Sequence, residues 1–458
     1  MKLVKSEAKF STKDINQLFK TNIKPDFKRS VCTDSRSIKP EEIFLPICGK
    51  KLDGHDYINS VFEKSVNRKN IKVFSFCEKK KLKKVNKKHR EKLIIVENTL
   101  NAYHKLANHY RKKINPKVIA ITGSSGKTTA KDLLASVLSS TFRVHKTEEN
   151  FNNEIGVPKT ILEMPENTEV LVLELAMRGR GEIEFLSKTA EPDIAIITNT
   201  GTAHIGRLGS KEAIIKAKSE ILKHLKRDGI AILPNDKNLL KVTEKIWKGK
   251  AASFDLKQAS EISFKDDRTY FTVDIKRLCY EKYSIYALGA IYVLNSLIAI
   301  LTAKYLGLEK HEIQRGLSAF RIPAGRGVLF QISRDAFLID ETYNANPESV
   351  KAAVLNLTGC WNNGYKKILV LGELAELGKH ESKLLEELSG WLKKQKLNNV
   401  ITIGKKLKPF FSFSNVKNVS NTSECHAILK KLLTPHSVAL IKGSRVAGLE
   451  KIVENLRN

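Results

Sequence analysis

A strand, a glycine turn and the first turn of a helix follow one another in the run Val118-Ile-Ala-Ile-Thr-Gly-Ser-Ser-Gly-Lys-Thr-Thr129. Backbone N–H groups around Gly123, Ser124, Ser125 and Gly126, the positive end of the helix and the Lys127 ammonium would converge on one anion. Thr128 is placed to hold Mg2+ against that phosphate, and Thr129 closes the Gly-Lys-Thr-Thr core. The common spacing G-x-x-x-x-G-K-[ST] would want glycine at Ile121, and Gly123 comes two positions late. Strand before and helix after are still the setting that phosphate-loop chemistry needs, so the stretch predicts ATP as a ligand.

Further groups could complete a metal-assisted phosphoryl site. Glu174 follows Val170-Leu-Val-Leu173, near the C-terminal end of a predicted strand, which is the edge of an open α/β sheet where ligands bind. A carboxylate buried there needs a partner, and Mg2+ is one. His204 ends the loop Asn199-Thr-Gly-Thr-Ala-His204 after another apolar strand and so reaches the same edge, although a lone loop histidine is more often just polar surface. Lys218, in Ala217-Lys-Ser-Glu220, reads by spacing alone as an ordinary helix lysine.

The elements that must carry these groups fall into three sections, 1–113, 114–322 and 323–458. The first mixes short strands and turns, with Asp34-Ser-Arg36, Ile43-Phe-Leu-Pro-Ile47 and the turn Asp53-Gly-His-Asp56. Nine of the fourteen residues from Lys79 to Lys92 are Lys or Arg, which predicts a surface loop. The middle section is α/β: apolar runs of parallel-sheet type, Val118–Thr122, Val170–Leu175, Ile194–Thr198 and Ala231–Leu233, alternate with amphipathic helices. The third is a smaller α/β unit with strands at Phe337–Asp340, Ile368–Leu371, Val400–Ile403 and Val438–Ile441.

Composition narrows the class. At 458 residues and 41% apolar, the chain is long enough for several ordinary cores. No apolar stretch reaches membrane-spanning length, and the start, Met-Lys-Leu-Val-Lys-Ser-Glu, lacks a signal-peptide core, so a cytoplasmic address is expected. Six cysteines without a C-x-x-C pair argue for reduced, mostly buried thiols rather than disulfides or zinc. A formal charge of +31 would concentrate polyanions, including nucleic acid, a nucleotide-sugar or an anionic membrane face. A lysine-rich bias on solvated faces is the plainer reading, because the basic residues are not gathered around aromatic stacking positions.

Taken together, the motifs resemble the Mur ligases over nearly the whole chain. In the first section Asp34-Ser-Arg36, Pro40, Ile43-Phe44, Gly49 and Asp53-Gly-His-Asp56 look like the family's uridine-nucleotide-binding domain. The middle section matches through the phosphate loop, Asn150-Phe-Asn-Asn-Glu-Ile-Gly-Val-Pro158, Glu174, Gly181-Glu-Ile183, Ala203-His204, Gly209-Ser210 and Ala217-Lys218. The third matches through Gly325-Arg326, Asp340-Glu-Thr-Tyr-Asn-Ala-Asn-Pro347, Leu371-Gly372, Glu376-Leu-Gly378 and Lys442-Gly-Ser-Arg445. Tyr343-Asn-Ala-Asn-Pro347 discriminates, since sister ligases that add an amino acid differ there.

The resemblance implies three α/β or mixed domains: a UDP-sugar-binding domain, a central P-loop ATPase domain and a C-terminal Rossmann-like domain. It implies an ATP-dependent ligase, acting as a monomer, that joins D-alanyl-D-alanine to a UDP-N-acetylmuramoyl-tripeptide through an acyl phosphate. Lys127 and Arg326 would stabilise the transferring phosphoryl group, Thr128 and Glu174 would hold Mg2+, and His204 would help hold a second Mg2+. Lys218 falls where the family carries a carbamylated lysine, an anion suited to positioning that metal. Asn295 would meet adenine and Asp340 the ribose. Tyr343, Asn344, Ala345 and Asn346 would line the dipeptide pocket, Asn152 and Asn153 would touch the muramoyl substrate, and Ser35, Arg36 and His55 would serve the nucleotide-sugar.

The chain departs from the family pattern in places. Ile291-Tyr292 stands where His-Asn is usual, Ala176 where glycine is usual, and Arg207 sits in a loop that is often acidic. None of these removes a phosphate or metal group. No G-x-G-x-x-G opens the first helix of the third section, which disfavours a dehydrogenase. The remaining rivals are a ligase adding a single amino acid and a nucleic-acid-stimulated P-loop ATPase that uses the positive charge.

Overall fold

The computed structural model describes residues 8–24, 26–39, 41–49, 51–66, 73–265, 267–275, 279–361 and 364–457. Pro40 and the first seven residues lie outside the described residues, as does the side chain of Cys279. Two compact units emerge, one of Met1–Ala120, Arg143–Ala176 and Glu184–Asp193, the other of Ile121–Phe142, Met177–Ile183 and Ile194–Asn458. The division falls inside the strand Lys117–Thr122.

In the first unit the N-terminal sheet has the order Phe10–Ser11, Lys28–Cys32, Glu42–Phe44, Phe74–Glu78, Leu93–Val96; the first pair is antiparallel and the rest parallel. Phe74–Glu78 is buried at every residue, as a strand covered on both faces must be. Phe44, Phe62, Val73, Cys77 and Val85 share one core. Because Val85 belongs to that core, the lysine run is anchored, and it forms two 3-10 turns, Lys79–Lys84 and Lys87–Lys92. Lys81 Nζ lies 2.9 Å from Asp53 Oδ2 and Lys84 Nζ 2.6 Å from Asp56 Oδ1. The expected solvated loop is therefore corrected in part: Lys79, Lys83, Lys87 and Lys88 face outward, but the acidic turn 53–56 orders the backbone between them.

The helix Thr99–Ile114 begins where the Asn98 side chain accepts the Asn101 N–H and ends at Asn115, whose φ of 53° is left-handed. It packs on the short helix Gly156–Leu162, with Tyr110 donating to the Met164 carbonyl at 2.8 Å. Val144–Lys146 pairs parallel with Val170–Glu174, and Lys117 N–H donates to the Glu169 carbonyl beside it.

In the second unit Ile194–Ile197, Ile230–Pro234 and Lys250–Phe254 form successive parallel pairs, and Thr198 N–H donates to Thr122. The phosphate-loop helix Lys127–Leu138 is held by two others, Ala290–Tyr305 and Lys310–Ala319. Gly316 makes the second approach possible, since a Cβ there would sit 2.3 Å from the Val137 backbone. An antiparallel meander, Ala259–Lys265, Arg268–Ile275 and Cys279–Ile285, was not expected from the sequence. The third section forms a sheet in the order Val328–Ser333, Ala336–Glu341, Ser437–Lys442, Lys366–Gly372, Asn399–Ile403, Val416–Val419; after one antiparallel edge pair, all pairs are parallel. Apolar clusters cover it, around Leu369 and Val438 for one and Ile368 and Ala439 for the other. Alternate residues of the same strands enter different clusters, which is the signature of a sheet buried on both faces. The α/β reading holds, with the strands near their expected places.

Candidate active site

The phosphate loop is built to hold still. Ser124 N–H donates to the Asn199 carbonyl at 3.1 Å and Ser125 N–H to Asn199 Oδ1 at 3.0 Å. Thr198 Oγ1 donates to the Ser125 carbonyl at 2.7 Å, and Ser124 Oγ to the Gly201 carbonyl at 3.1 Å. A Cβ on Gly123 would stand 1.8 Å from Thr198 Oγ1, so only glycine fits there. Gly126, left-handed at φ 75°, is the N-cap of the helix and brings no side-chain oxygen to its first-turn N–H groups, which suits an anion. Lys127 Nζ donates to the Gly123 carbonyl at 2.8 Å, folded over the loop it would serve. Thr128 is half-buried and Thr129 buried in the same first turn.

Asn295, buried on the helix Ala290–Tyr305, stands beside this N-cap: a Cβ on Gly126 would lie 3.7 Å from its Oδ1. Its Nδ2 donates to the Ile291 carbonyl at 2.9 Å. Tyr292 reaches the turn that carries Arg326, donating its hydroxyl to the Arg326 carbonyl at 2.7 Å. Gly327, at φ 103°, faces that hydroxyl, and a Cβ there would lie 2.4 Å from it. Burial holds the Tyr292 phenol well above the usual range, so it stays a donor.

The same turn is sewn to the strand that carries Asp340. Gly327 N–H donates to the Asp340 carbonyl and Tyr343 N–H to the Gly325 carbonyl, at 2.7 and 3.1 Å. The Arg326 guanidinium lies 3.9 Å from the centre of the Tyr343 ring. Asp340 Oδ1 accepts from Thr342 Oγ1 and N–H at 2.7 and 3.1 Å. Lys442 Nζ donates to Glu341 Oε2 at 2.7 Å and to the Asn344 carbonyl at 3.1 Å, fixing the turn from below. Asn344 is exposed and Ala345 buried, whereas Asn346 is the N-cap of the helix Pro347–Cys360, accepting the Ser349 N–H at 2.8 Å.

Lys218 lies at 1% exposure in the helix Lys211–Ser219. Burial, and then the Lys127 charge, push its pKa well below that of an ordinary lysine. A neutral amine is what addition of CO2 requires. Two residues on, Glu220 accepts the Gly181 N–H with both oxygens, at 2.8 and 3.0 Å. His204 has a left-handed φ of 66°, and its Nδ1 is 2.5 Å from Glu376 Oε2, close but too bent for a directed hydrogen bond. Burial lowers its pKa against the pull of Glu376, so a neutral ring with a lone pair is favoured.

In the first unit Glu174 is buried to 2% exposure at the end of its strand, with Oε1 accepting Asn152 Nδ2 at 2.8 Å and its N–H donating to Thr147 Oγ1 at 3.0 Å. Asn152 also accepts the Ala176 N–H through its carbonyl at 2.8 Å. Asn153 Oδ1 accepts from the Ile155 and Gly156 N–H groups at 3.2 and 2.9 Å, shaping the turn into the next helix. Among the described residues no three His, Cys, Asp or Glu side chains form a metal cage. Mg2+ is usually held by one or two protein groups together with phosphate oxygens and water, so a single buried carboxylate at a strand end, as Glu174 is, has the chemistry of such a ligand.

In the N-terminal sheet, His55 is buried with Nδ1 2.7 Å from Asp53 Oδ1 and Nε2 accepting the Glu78 N–H at 3.2 Å. Both ring nitrogens are thus engaged inside the domain, and burial lowers its pKa. Arg36 is exposed and doubly bonded to Asp34, at 2.9 and 2.7 Å; Ser35 lies in the turn between them. Sequence reasoning missed the parts played by Tyr292, Glu341, Glu348 and Lys442, whose partners lie far away in the chain.

Three family models match in chain order: Mur ligase family, catalytic domain, over 29–111; Mur ligase middle domain, over 121–303; and Mur ligase, glutamate ligase domain, over 325–445. The UDP-N-acetylmuramoyl-tripeptide--D-alanyl-D-alanine ligase of Bacillus subtilis is 34% identical, with 98% of each chain covered. The Escherichia coli protein of the same name is 29% identical, with 93% of each covered. Among solved structures, MurF from Acinetobacter baumannii superposes with a TM-score of 0.86 at 28% identity, covering 98% of this chain and 99% of that one. MurF ligase from Thermotoga maritima, in complex with ADP, gives 0.82 at 25% identity over 94% and 97%. Identity sustained from end to end, over a fold built from the same three parts, leaves one assignment: the chain belongs to the Mur ligase family.

Proposed function

We propose that the chain is an ATP-dependent ligase joining D-alanyl-D-alanine to UDP-N-acetylmuramoyl-tripeptide. The observation that carries this is the full-length identity to ligases of that name, joined to a Tyr343-Asn-Ala-Asn-Pro347 turn that is tied to the Arg326 turn. A carboxylate is a poor electrophile until one of its oxygens belongs to a phosphate leaving group. Its attack on the γ-phosphorus of ATP would give an acyl phosphate and ADP. The dipeptide amine would then add to the acyl carbon and lose a proton, and phosphate would leave as the amide forms. Lys127 and Arg326 would meet the charge on the moving phosphoryl group, and the first-turn N–H groups that follow Gly126 would seat the nucleotide phosphates, whereas the Ser124 and Ser125 N–H groups, expected from the sequence to do so, are taken up by Asn199 and shape the loop instead.

Asn295 would face adenine and Asp340 the ribose. We retain Thr128 and Glu174 as proposed Mg2+ ligands and His204, with a carbamylated Lys218, as groups for a second ion. Bound there, the metal would neutralise phosphate oxygens and orient them. Asn344, exposed beside the buried Ala345, is the side chain of that turn best placed to reach a dipeptide terminus. Ser35 and Arg36 would face the nucleotide-sugar, with Asn152 and Asn153 beside the muramoyl group; His55 would act there by shaping its turn. The parts 1–113, 114–322 and 323–458 would work as three domains of a cytoplasmic monomer. No helix of the described residues is long and apolar enough to cross a membrane.

Phosphate release tests the reading. Purified protein with ATP and Mg2+ should release phosphate only when UDP-muramoyl tripeptide and D-alanyl-D-alanine are both present. Release driven by a free amino acid, or by DNA or RNA, would transfer the assignment to one of the rivals.

A further inference from the structure

The loop that carries His204 is gripped by the third section at several points. Glu348, in the first turn of the helix Pro347–Cys360, accepts the Thr202 N–H at 3.0 Å and its hydroxyl at 2.7 Å. Glu376 brings Oε2 to 2.5 Å from His204 Nδ1 and Oε1 to 3.8 Å from Arg207, while its carbonyl accepts the Gly206 N–H at 3.2 Å. Gly206 and Gly378 let the two backbones touch: a Cβ on Gly206 would lie 2.7 Å from Gly378 N, and one on Gly378 2.7 Å from Gly206 Cα. His380 Nε2 closes the contact 3.1 Å from the Gly209 carbonyl. A side-chain contact this close to a buried imidazole nitrogen, on a loop clamped on both sides of it, defines how the ring faces.

We propose that Glu376 is a positioning residue for His204, fixing the imidazole through Nδ1 so that Nε2 is presented to the metal, and that it does so only while the third section is docked on the loop. A carboxylate on the far nitrogen commonly orients a metal-bound histidine in this way, and its loss costs about 10- to 100-fold in affinity or activity. Arg326, Asp340 and the dipeptide turn sit on the section that supplies Glu376. Capture of ATP and dipeptide by that section and orientation of His204 thereby become one event, which guards against activating the carboxylate when no amine is in place. The inference rests on the reading of His204 as a metal-site group.

The test compares the full-length protein with Glu376→Ala, Glu376→Gln and His204→Ala, by steady-state kinetics and by Mn2+ binding in the presence of ADP, read without turnover by electron paramagnetic resonance. Glu376→Ala should lower kcat and weaken Mn2+ binding by about 10- to 100-fold, with each KM within about threefold of the parent. Glu376→Gln keeps a polar side-chain oxygen of the same reach against Nδ1, so it should recover most of both losses. Parental kcat and Mn2+ binding in Glu376→Ala would overturn the proposal, and so would equal impairment of the two variants with every KM raised, the mark of a merely structural contact. Full turnover by His204→Ala would instead remove the metal-site reading itself, whereas an inactive His204→Ala beside a normal Glu376→Ala would remove only the positioning role.

Discussion

Lys218 is buried among groups that disfavour its charge, and Lys127 adds a second cation. Because its amine gives up its proton below the ordinary lysine range, the unfolded chain binds a proton that the folded chain does not. The stability contribution of the unmodified amine therefore falls as pH drops through the window between the depressed pKa and the ordinary one. An amine that is neutral below the ordinary lysine range is also ready for CO2. Protein stripped of bicarbonate should lose ligation and regain it on adding bicarbonate near pH 8, with a mass gain of one CO2 that Lys218→Ala lacks. Full activity in stripped protein of unmodified mass would remove the carbamate from the mechanism. Lys127→Ala should reduce ligation by about 10²- to 10³-fold, because the charge that would meet the moving phosphoryl group is lost. Its thermal unfolding should stay near the parent's, since the half-buried side chain contributes little packing; near-normal turnover would exclude the phosphate role.

Turns and caps decide which substitutions report on binding. Asn346 caps its helix, so Asn346→Ala should cost about 1 kcal/mol of stability besides any effect on substrate. Asn344→Ala is the cleaner probe, and it should raise KM for D-alanyl-D-alanine about tenfold or more while leaving that for ATP nearly unchanged. Equal weakening of both substrates would mean that the turn is only structural. The lysine run supplies a second contrast. Asp53 is pushed up by burial, but hydrogen bonds from Lys81, His55 and Lys84 outweigh this and hold it well below the usual carboxylate range. Lys81→Met should thus destabilise the protein by about 1–3 kcal/mol, while Lys83→Met, on an outward face, should stay within about 0.5 kcal/mol by chemical denaturation. Equal effects would return the whole run to solvated surface. The sequence pattern of lysines hid this difference, because the counter-charges come from a turn about thirty residues upstream.

Across the whole chain, what was legible followed from local periodicity. Buried parallel strands such as Val170–Glu174 and Lys366–Gly372 contain continuous apolar runs, 170–173 and 368–371, and declare themselves. The meander 259–285 does not, since strands such as Ala259–Lys265 leave most residues exposed or half-exposed and carry no long apolar run. The phosphate loop was readable because its chemistry lies in consecutive residues. The grip of Glu348 on Thr202 joins residues 146 positions apart, and Tyr292 stood out only as a departure from a pattern until its hydroxyl was found on the Arg326 carbonyl. The central claim is ligation through an acyl phosphate, and one measurement tests it most directly. UDP-muramoyl tripeptide carrying heavy oxygen in its terminal carboxylate is incubated with ATP, Mg2+, D-alanyl-D-alanine and the protein, and both products are weighed by mass spectrometry. The account predicts UDP-muramoyl pentapeptide together with inorganic phosphate bearing one heavy oxygen from the carboxylate. Unlabelled phosphate, or phosphate released without formation of the pentapeptide, would contradict it.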